Sequence, residues 1–327
     1  MVALRGHAGG SPMSRLRLVF CGTPAFAVPS FQKLVGSPEF EILAVFTQPD
    51  RPRGRGQEIM FSPIKEAALA ANLPIRQPAK IRLPEVEQEL RDLAPDVIVI
   101  IAYGQIIPAR LLDIPRLGWI NLHASLLPKY RGAAPINWAI ANGETITGNT
   151  TMRIDAGMDT GAMLLQQELS IGPEETASQL GARLSQYGAQ LMTDTLLGLA
   201  AGEIKPREQE HGRATLAPML KREDGQIVWE SSAEEIYNRM RGFTPWPGAF
   251  SEFRGQLCHI SGQPVSKLLS GAAPGFIRVE AGEIYIACGA ATTLHLQHVK
   301  LEGRKQISAE EFVNGARLQP GERFGKP

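Results

Sequence analysis

Val97-Ile98-Val99-Ile100-Ile101-Ala102 is an unbroken apolar run, and its reading decides the fold. A bilayer span takes about 20 residues, so this run is far too short to be one. It suits a strand of a parallel sheet, buried on both faces by helices. The run predicts a strand over residues 96–102.

Working outward, the same texture recurs. Residues 16–20 and 42–46 read as strands, and Cys21-Gly22-Thr23-Pro24 as a tight turn between the first strand and its helix. Residues 25–35 have helical character, with Pro29 an irregularity near the first turns. Ser62 and Pro63 open a helix as N-cap and first helical residue. Residues 120–123, 150–154 and 163–169 are further strands, residues 136–141 a short helix and residues 177–199 a long amphipathic one. Strands alternating with helices predict a Rossmann-like, doubly wound, mostly parallel α/β sheet.

The chain of 327 residues has room for two domains, taking about 150 residues per domain. Residues 1–12 lack an apolar h-region, which argues against a secretory signal. They are expected to form a poorly ordered tail, with Met13 a candidate start. A catalytic domain over 13–200 and a polar linker over 201–217 follow. Beyond it, short strands at 226–229, 249–253, 257–260, 275–279, 283–286 and 294–298, with one helix at 233–240, predict a small OB-like β-barrel over 218–327.

The 43% hydrophobic and 20% charged residues are ordinary for a soluble globular protein. A net charge of +1 gives no global field that marks a nucleic-acid binder, so RNA contact must come from local clusters. Cys21, Cys258 and Cys288 lie far apart, without a CxxC. They support neither a disulfide framework nor a metal site, and reduced cytoplasmic thiols are the simplest reading.

Asn121 and His123 are the first candidates for chemistry. In a strand, residues i and i+2 share a face. An amide and an imidazole therefore project side by side near a strand end. Such a pair can hold a carbonyl oxygen while it becomes an oxyanion. The loop Asp155-Ala156-Gly157-Met158-Asp159-Thr160-Gly161 offers two carboxylates between apolar strands. Either can orient an imidazole or accept a proton, and spacing alone does not choose. Gly22 lacks the further glycines of a dinucleotide fingerprint, which disfavours a nucleotide-dependent oxidoreductase. The loop Asp50-Arg51-Pro52-Arg53-Gly54-Arg55-Gly56 carries three arginines, and guanidinium groups grip phosphates bidentately. Arg239, Arg241, Lys300, Arg304 and Lys305 make a weak basic face among acids. Trp246, in Pro245-Trp246-Pro247, is expected to pack inward.

Together these segments make the chain similar to the formyltransferases that use 10-formyltetrahydrofolate. The resemblance rests on residues 20–24, 47–52, Ala102-Tyr103-Gly104 with Ile107-Pro108, 121–135, Asp159-Thr160-Gly161 and Pro245-Trp246-Pro247. It implies Asn121, His123 and Asp159 as the catalytic set, choosing Asp159 over Asp155. It implies folate contacts at Ser125, Leu126, Leu127 and Pro128, and at Ala102, Tyr103, Gly104, Gln105, Ile106 and Ile107. The arginine loop resembles the family's insertion toward the acceptor stem of initiator tRNA. Arg51, Arg53 and Arg55 are therefore the expected tRNA contacts, and initiator methionyl-tRNA the expected acceptor. No metal, no membrane partner and a monomer are expected. The alternative acceptor is an amino sugar nucleotide, which has no acceptor stem for the arginine loop to hold. A non-catalytic folate- or RNA-binding protein is disfavoured by the presence of all three polar groups.

Overall fold

The computed structural model describes residues 15–53, 58–269 and 271–325. The expected tail over 1–12 lies outside the described residues.

Up to residue 200 the elements alternate. They are β1 (Leu16–Gly22), α1 (Val28–Val35), β2 (Phe40–Phe46), β3 (Arg51–Arg53), β4 (Glu58–Met60), α2 (Pro63–Ala70), β5 (Ile75–Arg76) and α3 (Pro84–Leu93). Then follow β6 (Val97–Ile101), α4 (Ala109–Leu112), β7 (Trp119–His123), α5 (Pro135–Ala141), β8 (Ile146–Arg153), β9 (Met163–Ser170) and α6 (Ala177–Ala200). Ser62 caps α2 by accepting from the backbone N–H of Lys65, as its position before Pro63 predicts. Pro29 falls in the first turn of α1, where its missing N–H costs nothing; a 3₁₀ turn over Ala25–Ala27 precedes it.

Seven strands form a mixed sheet in the order β5-β2-β1-β6-β7-β8-β9. Pairing is parallel from β5 to β7, and β8 runs antiparallel to β7. Both faces are buried. Leu18, Phe20, Val97, Val99 and Ile120 pack against Phe31, Ile64, Met192 and Leu196, which come from helices α1, α2 and α6. Val19, Phe46, Ile98 and Ile100 pack against Val86, Leu90 and Leu111 of α3 and α4 on the other face. The run at 97–101 is fully paired and buried, as its composition requires. The chain builds outward from β1 to β5, then returns to β6 on the other side of β1. This makes the carboxyl ends of β1 and β6 a topological switch point, where α/β sheets bind ligands. Gly22 ends β1 there, and a Cβ on it would lie 3.2 Å from the Ile101 carbonyl oxygen and 2.8 Å from the Phe20 ring.

By packing, the chain forms two compact units. Among the described residues, one comprises 15–53, 58–123, 149–167 and 183–212; the other comprises 124–148, 168–182, 213–269 and 271–325. The C-terminal part carries α7 (Ala233–Gly242), β10 (Phe250–Phe253), β11 (Gln256–Val265), β12 (Ile277–Glu280), β13 (Glu283–Ala287), β14 (Thr293–Leu301), β15 (Ile307–Ser308) and α8 (Ala309–Ala316). Its sheet is wholly antiparallel, in the order β10-β11-β14-β13-β12 with β15 on β14. β10 and β12 remain its edges among the described residues, so no closed barrel is formed there. The strand expected at 226–229 is absent. Gln226 makes only an isolated bridge to Phe250, because the chain turns to bury Trp229. That indole stacks on Phe324 and donates to Ser251 Oγ at 3.0 Å. Among the described residues no helix is long and apolar enough to cross a membrane.

Candidate active site

The alternation of β7 sets the site. Ile120 and Leu122 turn into the core with α6, while Trp119 joins the opposite core. Asn121 and His123 therefore share the face of Trp119. Asn121 sits opposite Met152 and beside Ile100; His123 sits opposite Thr150. The two side chains differ in exposure: His123 is buried and Asn121 half-buried.

A cavity of about 370 Å³ opens at the ends of β6 and β7. Asn121 and Asp159 line it, with Ile100, Tyr103, Ile106 and Met158. His123 Nδ1 lies 3.6 Å from Asp159 Oδ2. This is longer than a hydrogen bond and close enough for direct electrostatic support of the imidazole. Catalytic contacts of this kind commonly tighten only once substrate is bound. The structure thus brings Asn121 and Asp159 to one cavity, with the buried His123 beside Asp159. An amide, an imidazole and a carboxylate so placed can hold an oxyanion and take a proton from an attacking amine.

The two aspartates of the 155–161 loop part company here. Asp155 Oδ1 accepts from the Gly157 N–H at 3.0 Å and the Thr160 hydroxyl at 2.7 Å. It closes the turn. Asp159 instead adopts a left-handed backbone, φ 52°, and turns its carboxylate toward His123. The base of the loop is tied by Arg153, whose N–H donates to Ala162 O at 2.9 Å. Gly161 admits no side chain, since a Cβ would stand 1.9 Å from Arg153 O.

Of the expected donor contacts, Ala102, Tyr103, Gln105, Ile106 and Ile107 line this cavity. Ile106 is 92% exposed, although apolar. The Gln105 side chain anchors the segment by accepting from the Ile81 N–H at 2.6 Å and donating to Pro78 O at 3.3 Å. Gly104 lines a neighbouring cavity of about 320 Å³ with Thr23, Gln48, Asp50, Arg51 and Phe61. Thr23 Oγ1 and Gln48 Nε2 both donate to the Tyr103 carbonyl, at 3.2 and 3.0 Å. Burial pushes the Tyr103 phenol well above its ordinary range, so it stays neutral. Ser125, Leu126, Leu127 and Pro128 belong to the other compact unit. There Ser125 is buried and donates to Lys129 O at 2.6 Å, and the Leu127–Pro128 bond is cis.

The described residues that flank the arginine loop pair as two short strands. β3 pairs antiparallel with β4, Arg51 opposite Met60 and Arg53 opposite Glu58. Arg51 is exposed and lines the second cavity. Arg55 lies outside the described residues. The hairpin's foot is fixed by Asp50, whose carboxylate pairs with Lys65 and accepts from Gln77 at 2.9 Å. Trp246 is more than half exposed, against the expectation that it packs inward. Short flanking prolines carry it on a tight turn that ends at Gly248. Arg241 is buried, giving its guanidinium to the carbonyls of Gly172 and Glu175 at 3.0 Å, so it is no part of an exposed basic face. Among the described residues no three His, Cys, Asp or Glu side chains cluster as metal ligands.

One contributor is not visible in the sequence pattern. Gln209, within the polar linker, donates to the carbonyls of Asp159 and Gly161 at 2.9 and 2.8 Å. Nothing in its local sequence signals this, because the partner lies 50 residues away.

A family profile described as formyl transferase matches residues 16–196, and one described as its C-terminal domain matches residues 219–317. The chain is 51% identical over 311 residues to a methionyl-tRNA formyltransferase of Koribacter versatilis, covering 94% of this chain and 98% of that one. It is 53% identical over 312 residues to one of Solibacter usitatus, covering 95% and 99%. Among solved structures it is similar to an N-formyltransferase from Helicobacter canadensis in complex with folinic acid and dTDP-3-aminofucose. That match has a TM-score of 0.66 at 18% identity, covers 86% of this chain and 98% of that one, and speaks for the fold alone.

Proposed function

The chain belongs to the formyl transferase family through both of its matched segments, and we propose from that premise how its residues divide the reaction. It transfers the formyl group of 10-formyltetrahydrofolate to the amine of methionyl-tRNA, the activity of relatives that match nearly the full chain at about half identity. The amine attacks the formyl carbon, and a tetrahedral intermediate forms. Asn121 and His123 donate hydrogen bonds to its oxyanion. Asp159 supports the imidazole and takes the amine proton, directly or through a water. The intermediate then collapses, the C–N bond to the folate breaks, and the folate nitrogen leaves with a proton.

One observation carries this reading: Asn121 and Asp159, from two separated segments, line a single cavity, and His123 Nδ1 stands 3.6 Å behind Asp159 Oδ2. The apolar wall at Ile106, Ile107 and Met158 suits the flat rings of the donor. All three groups come from one chain, so a monomer suffices. Residues 13–200 act as the catalytic domain, residues 201–217 as linker and residues 218–327 as the RNA-holding domain, a division supported by the matched segments. Barrel-like curvature of the latter sheet is supported by the register shift at Ser261/Gly262. Arg51, Arg53 and Arg55 take acceptor-stem phosphates, and the enzyme works in the cytoplasm on initiator methionyl-tRNA.

The test is formyl transfer from 10-formyltetrahydrofolate to charged initiator tRNA, with an amino sugar nucleotide as the competing acceptor. Removing one oxyanion donor costs ~10²–10³ in turnover. Asn121→Ala is expected to lose that much kcat with little change in donor KM. Unchanged kcat would sink the oxyanion assignment, and a preference for the sugar would sink the acceptor.

A further inference from the structure

We propose that Gln209 is a positioning residue for this reaction, holding Asp159 in the backbone conformation that faces His123. The inference rests on the catalytic assignment of Asp159 above.

Left-handed backbone at a residue with a side chain is strained and persists only where its surroundings impose it. Asp159 is such a residue, and φ 52° sets the direction of its carboxylate. Asp155 and Thr160, its neighbours along the loop, close the preceding turn on each other. A grip on Asp159 itself comes from the segment after α6.

Arg207 exchanges two backbone hydrogen bonds with Met163, each 2.8 Å, as an antiparallel bridge. Continuing that register brings Gln209 opposite Gly161. The Gln209 side chain then takes over from the backbone ladder. Its one amide nitrogen spends both N–H groups on successive targets, Gly161 O at 2.8 Å and Asp159 O at 2.9 Å. At 4% exposure Gln209 is shielded from water, and its bond to Gly161 O is buried, so water is no easy substitute there. The two bonds hold the peptide that follows Asp159 and the one that follows Gly161. They fix the rotation of the Asp159 backbone, and with it the direction of the carboxylate. Gly161 lets the loop lie this close, because no side chain fits between it and Arg153 O.

The full-length chain carrying Gln209→Met tests this: Met keeps the length and loses both donors. A misplacement of about 1 Å can cost ~10² in rate. Gln209→Met is expected to lose about that much kcat, with KM for donor and tRNA within about 3-fold of the parent. In an Asp159→Asn background the same change is expected to matter by less than about 3-fold, because residues that act as one unit are not additive. Gln209→Asn, which keeps the amide but shortens its reach, is expected to behave like Met and covers the case of a poorly folding first variant. Parent-like kcat in either variant, or losses that multiply with Asp159→Asn, would overturn the proposal. If Asp159→Asn alone keeps parent kcat, the catalytic assignment itself has failed, and the two failures are distinct.

Discussion

Asp50, Asp155 and Asp159 are three carboxylates beside two adjoining cavities, and their partners give them different work. Hydrogen bonds from Lys65, and then Gln77, hold the Asp50 carboxyl below the ordinary carboxylate range. Its folded pKa is lower than its unfolded one, which lies near 3.9. The stabilisation is therefore complete above about pH 5, begins to fall near the unfolded value, and is lost as pH drops through the folded one. Urea denaturation from pH 3 to 7 checks this. The parent's advantage over Asp50→Asn is expected to be constant above about pH 5 and to shrink below about pH 4. An advantage that grows in acid would be the wrong sign. The sequence could offer Asp155 and Asp159 as equals because they share a loop and a residue type. What separates them is the Thr160 hydroxyl on one and the Gln209 amide behind the other, a bond made across 50 positions. Asn121 and His123 were legible because strand alternation is local.

The hairpin β3–β4 was the least legible element. Its arginines, prolines and glycines read as loop, and only the pairing of Arg51–Arg53 with Glu58–Met60 reveals short strands. Charge keeps its meaning all the same, since guanidinium groups remain suited to phosphate whichever backbone carries them. Arg55→Ala is expected to raise the KM for tRNA while leaving that for folate alone. With one phosphate fewer gripped, the salt dependence of RNA binding is expected to become shallower by about one. An unaltered salt slope in filter binding would remove Arg55 from the interface. The 155–161 loop is the opposite case, an element whose ends are sterically dictated. Gly161→Ala forces a methyl onto Arg153 O. It is expected to cost about 1–3 kcal/mol in denaturant titrations, as overpacking does, and to lower kcat with it. An alanine variant of parent stability would mean that the loop can relax.

Each compact unit has its own apolar core, and neither core draws on the other's residues. The parallel sheet was legible from its buried runs, whose composition has few other uses. The C-terminal sheet was legible as short strands, but 226–229 misled. Trp229 looks like a strand residue, and its burial against Phe324, almost a hundred positions on, is a tertiary choice. Phe324 is fully buried and also meets Phe253 at 5.4 Å. Phe324→Ala is expected to cost about 3–5 kcal/mol in the unfolding of that unit. A change under about 1 kcal/mol, measured by denaturant titration, would mean the cluster repacks. At the scale of binding, the apolar wall at Ile106 and Met158, proposed above to meet the donor, carries one more consequence. Ile106 at 92% exposure and Met158 at 63% present apolar surface to water. Covering them releases their hydration water, and that release has a calorimetric signature. Donor binding is expected to become steadily more exothermic on warming, a negative heat-capacity change. Ile106→Ser should flatten that temperature dependence even where affinity changes little.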